Sequence, residues 1–210
     1  MKTGSYDTLK RNIDIFFSLL ILLLLSPIFL IISLLIKIDD GGKVFYFHYR
    51  LGKNRKQFRL FKFRSMVENA DELLFSDPSF LQKLREGTHK LPDDPRITRI
   101  GKFLRKFSLD ELPQFVNVLK GEMSIVGPRA YRPDELQKFE EESPQSISDI
   151  SYILSVKPGI TGLWQVSGRS RLSFDQRIKL ETQYVRNRSL VFDTMIMLKT
   201  PFVIIKGEGL

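Results

Sequence analysis

From Ile15 to Ile36 the chain runs for 22 residues without a charge. At about 1.5 Å per helical residue that is long enough to cross a hydrocarbon core of roughly 30 Å. Ser26-Pro27 interrupts the run near its middle, where proline removes a backbone hydrogen bond and crowds the preceding turn. Two arrangements satisfy this pattern. One is a proline-kinked spanning helix. The other is a helix broken at Ser26-Pro27 that enters one leaflet and returns, with the Ser26 hydroxyl available to the freed carbonyl. Both flanks are basic, Lys10 and Arg11 before and a block from Lys37 to Arg64 after. Positive charge stays on the cytoplasmic side, so two basic flanks tilt the reading towards the re-entrant form. A cleaved signal peptide does not fit, because the run is too long, no small-residue cleavage site follows and Lys37 opens a basic stretch.

Beyond the apolar run the periodicity changes. Val44 to Arg50 and Gln57 to Arg64 are aromatic-rich and roughly alternating around a basic loop, which predicts a β-hairpin with Arg59, Lys62 and Arg64 facing phosphates or water. Glu68 to Glu86 has the spacing of an amphipathic helix, with a break at Asp77-Pro78. A short helix follows from Thr98 to Lys106, placing Ile100 and Leu104 on one face and Arg96, Arg99, Lys102 and Arg105 every third residue on another. That basic stripe reads either as a solvated face or as a phosphate contact. Glu111 to Lys120 predicts a helix that starts close to Asp110, since Pro113 is tolerated only in a first turn, and that stops at Gly121. Met123 to Val126 reads as a strand, Pro158 to Gly162 as a turn and Pro133 to Glu142 as an acidic surface helix. Val191 to Ile205 is apolar but carries Asp193, Lys199 and Pro201, so it is too short and polar to span and belongs in the interface or the core. The expected architecture is α+β and mostly helical: a membrane anchor over residues 1–38, with a β-hairpin and interfacial helices around a small cytosolic catalytic domain over 39–210.

Charge sharpens this picture. The net charge is +9, and nine of the basic residues lie between Lys37 and Arg64 against only Asp39 and Asp40. Beside an apolar run, such a block points to an anionic membrane surface rather than to nucleic acid. With no cysteine, disulfides, thiolate metal sites and a cysteine nucleophile are excluded, and two histidines are too few for the usual zinc site.

The most informative carboxylates are Asp110 and Glu111. An acid at a helix N-terminus is held as the anion by the dipole and free amides, although acids also begin helices for capping alone. An ionised aspartate is a competent nucleophile on phosphorus when a cation masks the phosphate charge, and Glu111 could help hold magnesium, a hard ion suited to carboxylates beside substrate phosphates. Arg129 and Arg169, on tight turns, suit bidentate phosphate contacts as well as they suit a solvated surface. Walker and dinucleotide fingerprints are absent.

Ser108-Leu109-Asp110-Glu111-Leu112-Pro113-Gln114 resembles the signature of the bacterial sugar transferases, that is, the monotopic phosphoglycosyl transferases in their short form. Phe61-Lys62-Phe63-Arg64-Ser65-Met66, Asp94 to Gly101, Asn117 to Ser124, Val126-Gly127-Pro128-Arg129 and Val156 to Val166 resemble further blocks of that family in the same order. Ala130 departs from it, standing where a second proline is usual. The resemblance implies that Asp110 is the nucleophile on a uridine diphosphate sugar, releasing UMP, and that Glu111 is its partner at Mg2+. It implies that a polyprenyl phosphate, by family habit undecaprenyl phosphate, then takes the phosphosugar in a ping-pong sequence, as the first membrane step of a bacterial glycoconjugate pathway. It assigns Ser26-Pro27 to the helix break of a re-entrant anchor on the cytoplasmic face of the inner membrane. Arg129, Arg169, Lys62, Arg64 and Arg105 fall in phosphate-handling blocks, with Asp193 as a supporting acid. The sugar, the polyprenol length, the pathway and the oligomeric state, a homodimer included, stay open. The competing reading is a non-enzymatic, membrane-anchored basic adaptor.

Overall fold

The computed structural model describes residues 3–70, 72–73 and 94–205. Most of the helix expected over Glu68 to Glu86, with its Asp77-Pro78 break, lies outside these residues.

The apolar run folds as two helices, α1 (Thr3–Leu24) and α2 (Ser26–Asp40), bent by 59°. The cause is local. Pro27 has no N–H for the Leu23 carbonyl, and the Ser26 hydroxyl donates to that carbonyl at 2.8 Å instead. Among the described residues no single helix is long and apolar enough to cross a membrane, while the bent pair together has the length and composition. Phe16, Leu19, Leu23, Leu24, Leu30, Ile31 and Leu34 stay exposed around the bend.

The hairpin is formed by β1 (Phe45–Leu51) and β2 (Gln57–Phe63), antiparallel, with Tyr46 opposite Lys62 and Arg50 opposite Phe58. Alternation puts Tyr46, His48, Arg50, Phe58, Leu60 and Lys62 on one side. Helix α3 (Arg99–Lys106) starts at Thr98, whose hydroxyl accepts from the Gly101 N–H at 2.9 Å. Then come α4 (Gln114–Lys120), β3 (Ser124–Val126), α5 (Pro133–Glu142), α6 (Ile147–Ile153), β4 (Gly159–Thr161), α7 (Leu163–Ser167), α8 (Phe174–Asn187) and α9 (Leu190–Ile205).

Two expectations are corrected. The residues from Glu111 do not begin a helix: Leu109–Glu111 is a 3-10 turn, and α4 starts only after Pro113, its N-cap. Pro158 to Gly162 is not merely a turn, because β4 pairs in parallel with β3. A Cβ on Gly159 would lie 2.1 Å from the Gly127 nitrogen, so the glycines there serve close backbone approach.

Three apolar clusters hold these elements. Phe58, Leu60, Phe115, Val118, Met123, Val126, Tyr184 and Ile196 join the hairpin, α4, β3, α8 and α9. Tyr131, Leu136, Phe139, Ile150, Ile153 and Ile178 join α5, α6 and α8. Ile32 and Ile36 of α2 pack on Phe63 and Leu104, tying the bent pair to the hairpin and α3. Helix α9 divides by side, with Ile196 buried and Val191, Leu198, Phe202 and Ile205 exposed.

Candidate active site

The 3-10 turn Leu109–Glu111 is entered through Ser108 at φ 54°, a left-handed conformation that a non-glycine residue adopts at some cost. The turn presses Asp110 inwards, its side chain 9% exposed, and leaves Glu111 at 38%. Lys62, from the inner side of β2, donates its ammonium to Asp110 Oδ2 at 3.2 Å and Glu111 Oε1 at 2.7 Å. Two carboxylate oxygens therefore converge on one cationic point.

Electrostatics separates the two acids. Burial pushes the Asp110 carboxyl above its usual range, against the Lys62 charge and with the repulsion of Glu111 adding to the rise. At Glu111 burial is outweighed by Lys62, helped by Arg129 and Arg169, and its carboxyl falls below the usual range. The two acids in turn hold the Lys62 ammonium above its ordinary value despite burial. The expectation of an Asp110 anion made easy by a helix dipole is thus replaced: the helix begins four residues later, and Lys62 is what opposes protonation.

A shell of cations surrounds the pair. The charge of Arg105, at the end of α3, acts on Asp110, and those of Arg129 and Arg169 act on Glu111. Arg129 follows β3 on the Gly127-Pro128-Arg129 turn, and its guanidinium lies 5.2 Å from the Trp164 ring, with Arg177 at 4.5 Å from the same ring. That turn is fixed by Glu181, which accepts the Arg129 N–H at 2.8 Å and the Tyr131 hydroxyl at 2.6 Å; burial pushes its carboxyl up to about 7. Arg50 donates to the Ala130 carbonyl at 3.2 Å, and burial together with Arg129 brings it down to about 9. His48, buried among Arg50, Lys62, Arg132 and Arg129, is driven down to about 3 and is therefore neutral.

Lys62, Arg105, Arg129 and Arg169 are thus gathered around Asp110 and Glu111. Arg64 and Asp193 are not. Strand β2 ends at Phe63, and Arg64 turns to ion-pair with Asp40 and to donate to the Lys43 carbonyl, closing the end of α2. Asp193 is bonded to Tyr6, Lys10 and Tyr184 between α1, α8 and α9. Arg50, His48, Trp164, Arg177 and Glu181 were missed by the sequence reading. Only Glu181 left a signal there, an acid on the apolar side of a helix.

A family profile described as bacterial sugar transferase matches residues 5–207. The chain belongs to the bacterial sugar transferase family. Among relatives, the exopolysaccharide production protein ExoY of Sinorhizobium fredii is 46% identical over 195 residues, covering 91% of this chain and 83% of that protein. The undecaprenyl-phosphate galactose phosphotransferase of Salmonella typhimurium is 46% identical over 206 residues, which are 96% of this chain and 41% of the relative. The UDP-glucose:undecaprenyl-phosphate glucose-1-phosphate transferase of Escherichia coli is 38% identical over 206 residues, 95% and 41% of the two chains. This bacterial sugar transferase therefore spans most of ExoY and less than half of the other two.

Proposed function

We propose that this chain transfers a sugar-1-phosphate from a uridine diphosphate sugar to a polyprenyl phosphate, in two displacements at phosphorus. The observation that carries the reading is the buried Asp110 carboxylate, turned to a lysine ammonium and ringed by arginines. In the first displacement an Asp110 oxygen bonds the sugar-bearing phosphorus while its bond to the bridging oxygen breaks, and that oxygen leaves with UMP. In the second, an oxygen of the polyprenyl phosphate attacks the same phosphorus, and the Asp110 carboxylate departs with its electron pair. The product is a polyprenyl diphosphate sugar.

The cations supply what a doubly charged donor needs. The charges of Arg129 and Arg169 act on Glu111 and would meet diphosphate oxygens arriving there, and Lys62 and Arg105 favour the ionised form of Asp110 against burial. Among the described residues no third acid, histidine or cysteine joins the carboxylate pair. Two hard oxygens converging on a point already suited to a cation fit magnesium, which commonly takes one or two carboxylates and completes its shell with substrate phosphates and water. Magnesium bound by Asp110 and Glu111 would neutralise phosphate charge during the displacement.

The bent α1–α2 pair supports a re-entrant anchor on the cytoplasmic face. Its exposed apolar surface surrounds the bend, and Lys10, Arg11 and Lys37 lie towards its two outer ends. A water-soluble sugar nucleotide and a lipid phosphate meet only at headgroup depth, where this anchor holds the site. The relatives named for undecaprenyl phosphate transfer support the same acceptor.

The test is to incubate purified protein with magnesium, undecaprenyl phosphate and a panel of uridine diphosphate sugars, and to follow nucleotide release. UMP released with a particular sugar, and stopped by chelation, is the expected result and names the donor. Release of uridine diphosphate would sink this reading.

A further inference from the structure

A second cationic pocket lies away from Asp110, where the start of α1, the loop of the hairpin, β3 and the turn before β4 meet. It encloses about 160 Å³, and Lys10, Arg11, Asp14, Lys53, Ser124 and Lys157 are among the residues lining it. None of these bonds Asp110 or Glu111, both of which are held by Lys62. Lys62 is five steps along β2 from Gln57 at the loop, roughly 17 Å at 3.3 Å per residue, so the two sites sit at opposite ends of the hairpin.

The charges in this pocket do not cancel. Lys10 is taken by Asp193 at 2.8 Å, and the nearby Arg188 is taken by Asp7 at 2.9 Å. Arg11 donates to the Val118 and Leu119 carbonyls at 2.6 and 2.8 Å, capping α4 but leaving its own charge uncompensated. Lys53 and Lys157 have no carboxylate partner among the described residues. Against these three cations stands Asp14, whose carboxylate accepts the Ile125 N–H at 3.0 Å. Burial, with Arg11 and Lys53 adding to it and Asp14 opposing, pushes the Lys157 ammonium below its ordinary value. The Ser124 hydroxyl on the wall is buried and has no hydrogen-bond partner among the described residues.

Small size narrows the ligand. Pockets for drug-sized molecules run to roughly 300–1,000 Å³, so this one suits a single tetrahedral oxyanion rather than a nucleotide. Its depth is informative too. Lys10 is six residues before Phe16, the first exposed apolar side chain of the uncharged run, about 9 Å along the helix.

We propose that this pocket is a phosphate-binding site separate from the catalytic one, which takes the phosphate of an anionic lipid headgroup or a free phosphate through Lys157, Lys53 and Arg11. The lipid source rests on the membrane placement proposed above; the phosphate chemistry does not.

The full chain in detergent is titrated with inorganic phosphate at constant ionic strength while its thermal stability is followed, since a ligand that binds only the folded protein raises it with the logarithm of ligand concentration once that exceeds Kd. The same titration is run on Lys53→Gln/Lys157→Gln and on Lys138→Gln/Lys179→Gln, which removes equal charge elsewhere. Wild type and the second variant should respond alike, and the first should need about tenfold more phosphate or higher, the scale of one or two lost charge-assisted bonds. In a second arm, native mass spectrometry counts phosphatidylglycerol and phosphatidylcholine retained from mixed micelles. Preferential retention of phosphatidylglycerol that the Lys53/Lys157 variant loses assigns the site to a lipid headgroup. A phosphate response without that preference assigns it to a free phosphate. No phosphate response and no lipid preference in wild type, or the same loss in both variants, overturns the proposal. Neither arm depends on turnover, so its failure is distinct from failure of the transferase reading.

Discussion

Asp110 and Asp193 are both buried, and each is bonded to one lysine, yet the regions around them are built to opposite ends. Asp193 accepts from the Tyr6 hydroxyl at 2.9 Å, the Lys10 ammonium at 2.8 Å and the Tyr184 hydroxyl at 2.7 Å. Its acceptor sites are largely used, and the bonds join α1 to α8 and α9. Asp110 accepts from Lys62 alone among the described residues, at a longer 3.2 Å, and has a second carboxylate as its sequence neighbour. A saturated acid fastens elements together; an under-bonded one beside a like charge is available to react.

The sharpest way to break this contrast is to neutralise each acid in turn. Asp110→Asn keeps size and much of the hydrogen bonding but removes the carboxylate proposed to attack phosphorus, so UMP release should fall by at least about 10³-fold with little change in thermal stability. Asp193→Ala leaves the Lys10 ammonium and two hydroxyls without their acceptor, which should cost roughly 3 kcal/mol of stability while the folded fraction keeps its turnover. Equal activity losses in the two variants would mean that the regions do not differ in kind.

Glu181 sharpens the comparison from the other side, as an acid that is saturated and yet perturbed. Two donors hold its carboxylate, but burial wins and moves it up from an ordinary 4.5 to about 7. The folded protein therefore keeps this proton up to about pH 7, whereas the unfolded chain releases it near pH 4.5. Stability from this group is complete below about pH 4.5 and is lost as pH rises to about 7, on the order of 3 kcal/mol. Glu181→Gln should remove that slope from the pH dependence of thermal unfolding in detergent. An unchanged slope would show that the carboxyl titrates normally.

How much of this was legible in the chain follows from which partners are near in sequence. The helix break was legible because its cause is local: Pro27 frees the Leu23 carbonyl and the adjacent Ser26 supplies the donor. The hairpin was legible from alternation, and α3 from Thr98 and the spacing of Ile100 and Leu104. The β3–β4 pair was not, since three-residue strands carry no period and its close contact depends on Gly127 meeting Gly159 across the fold. At the site, Asp110 and Glu111 stood out together, but the partner that defines them, Lys62, comes from 48 residues away. Arg64 went astray for the same reason. Two residues from Lys62 it should share its outlook, but the strand ends between them and Asp40 takes it.

The finest test acts on Lys62 itself, the cation bonded to the carboxylate proposed to attack phosphorus. Lys62→Gln keeps a donor to both carboxylates but removes the charge that opposes burial at Asp110 and outweighs it at Glu111. Both carboxyls should then rise further, and the ionised fraction of the nucleophile should fall most where protons are plentiful. Turnover of the variant relative to wild type should therefore be lowest at the acid end of the pH profile and recover as pH rises. A loss of the same size at both ends of the profile would assign Lys62 to orientation alone, and the ionisation of Asp110 would have to be credited to Arg105 and its neighbours.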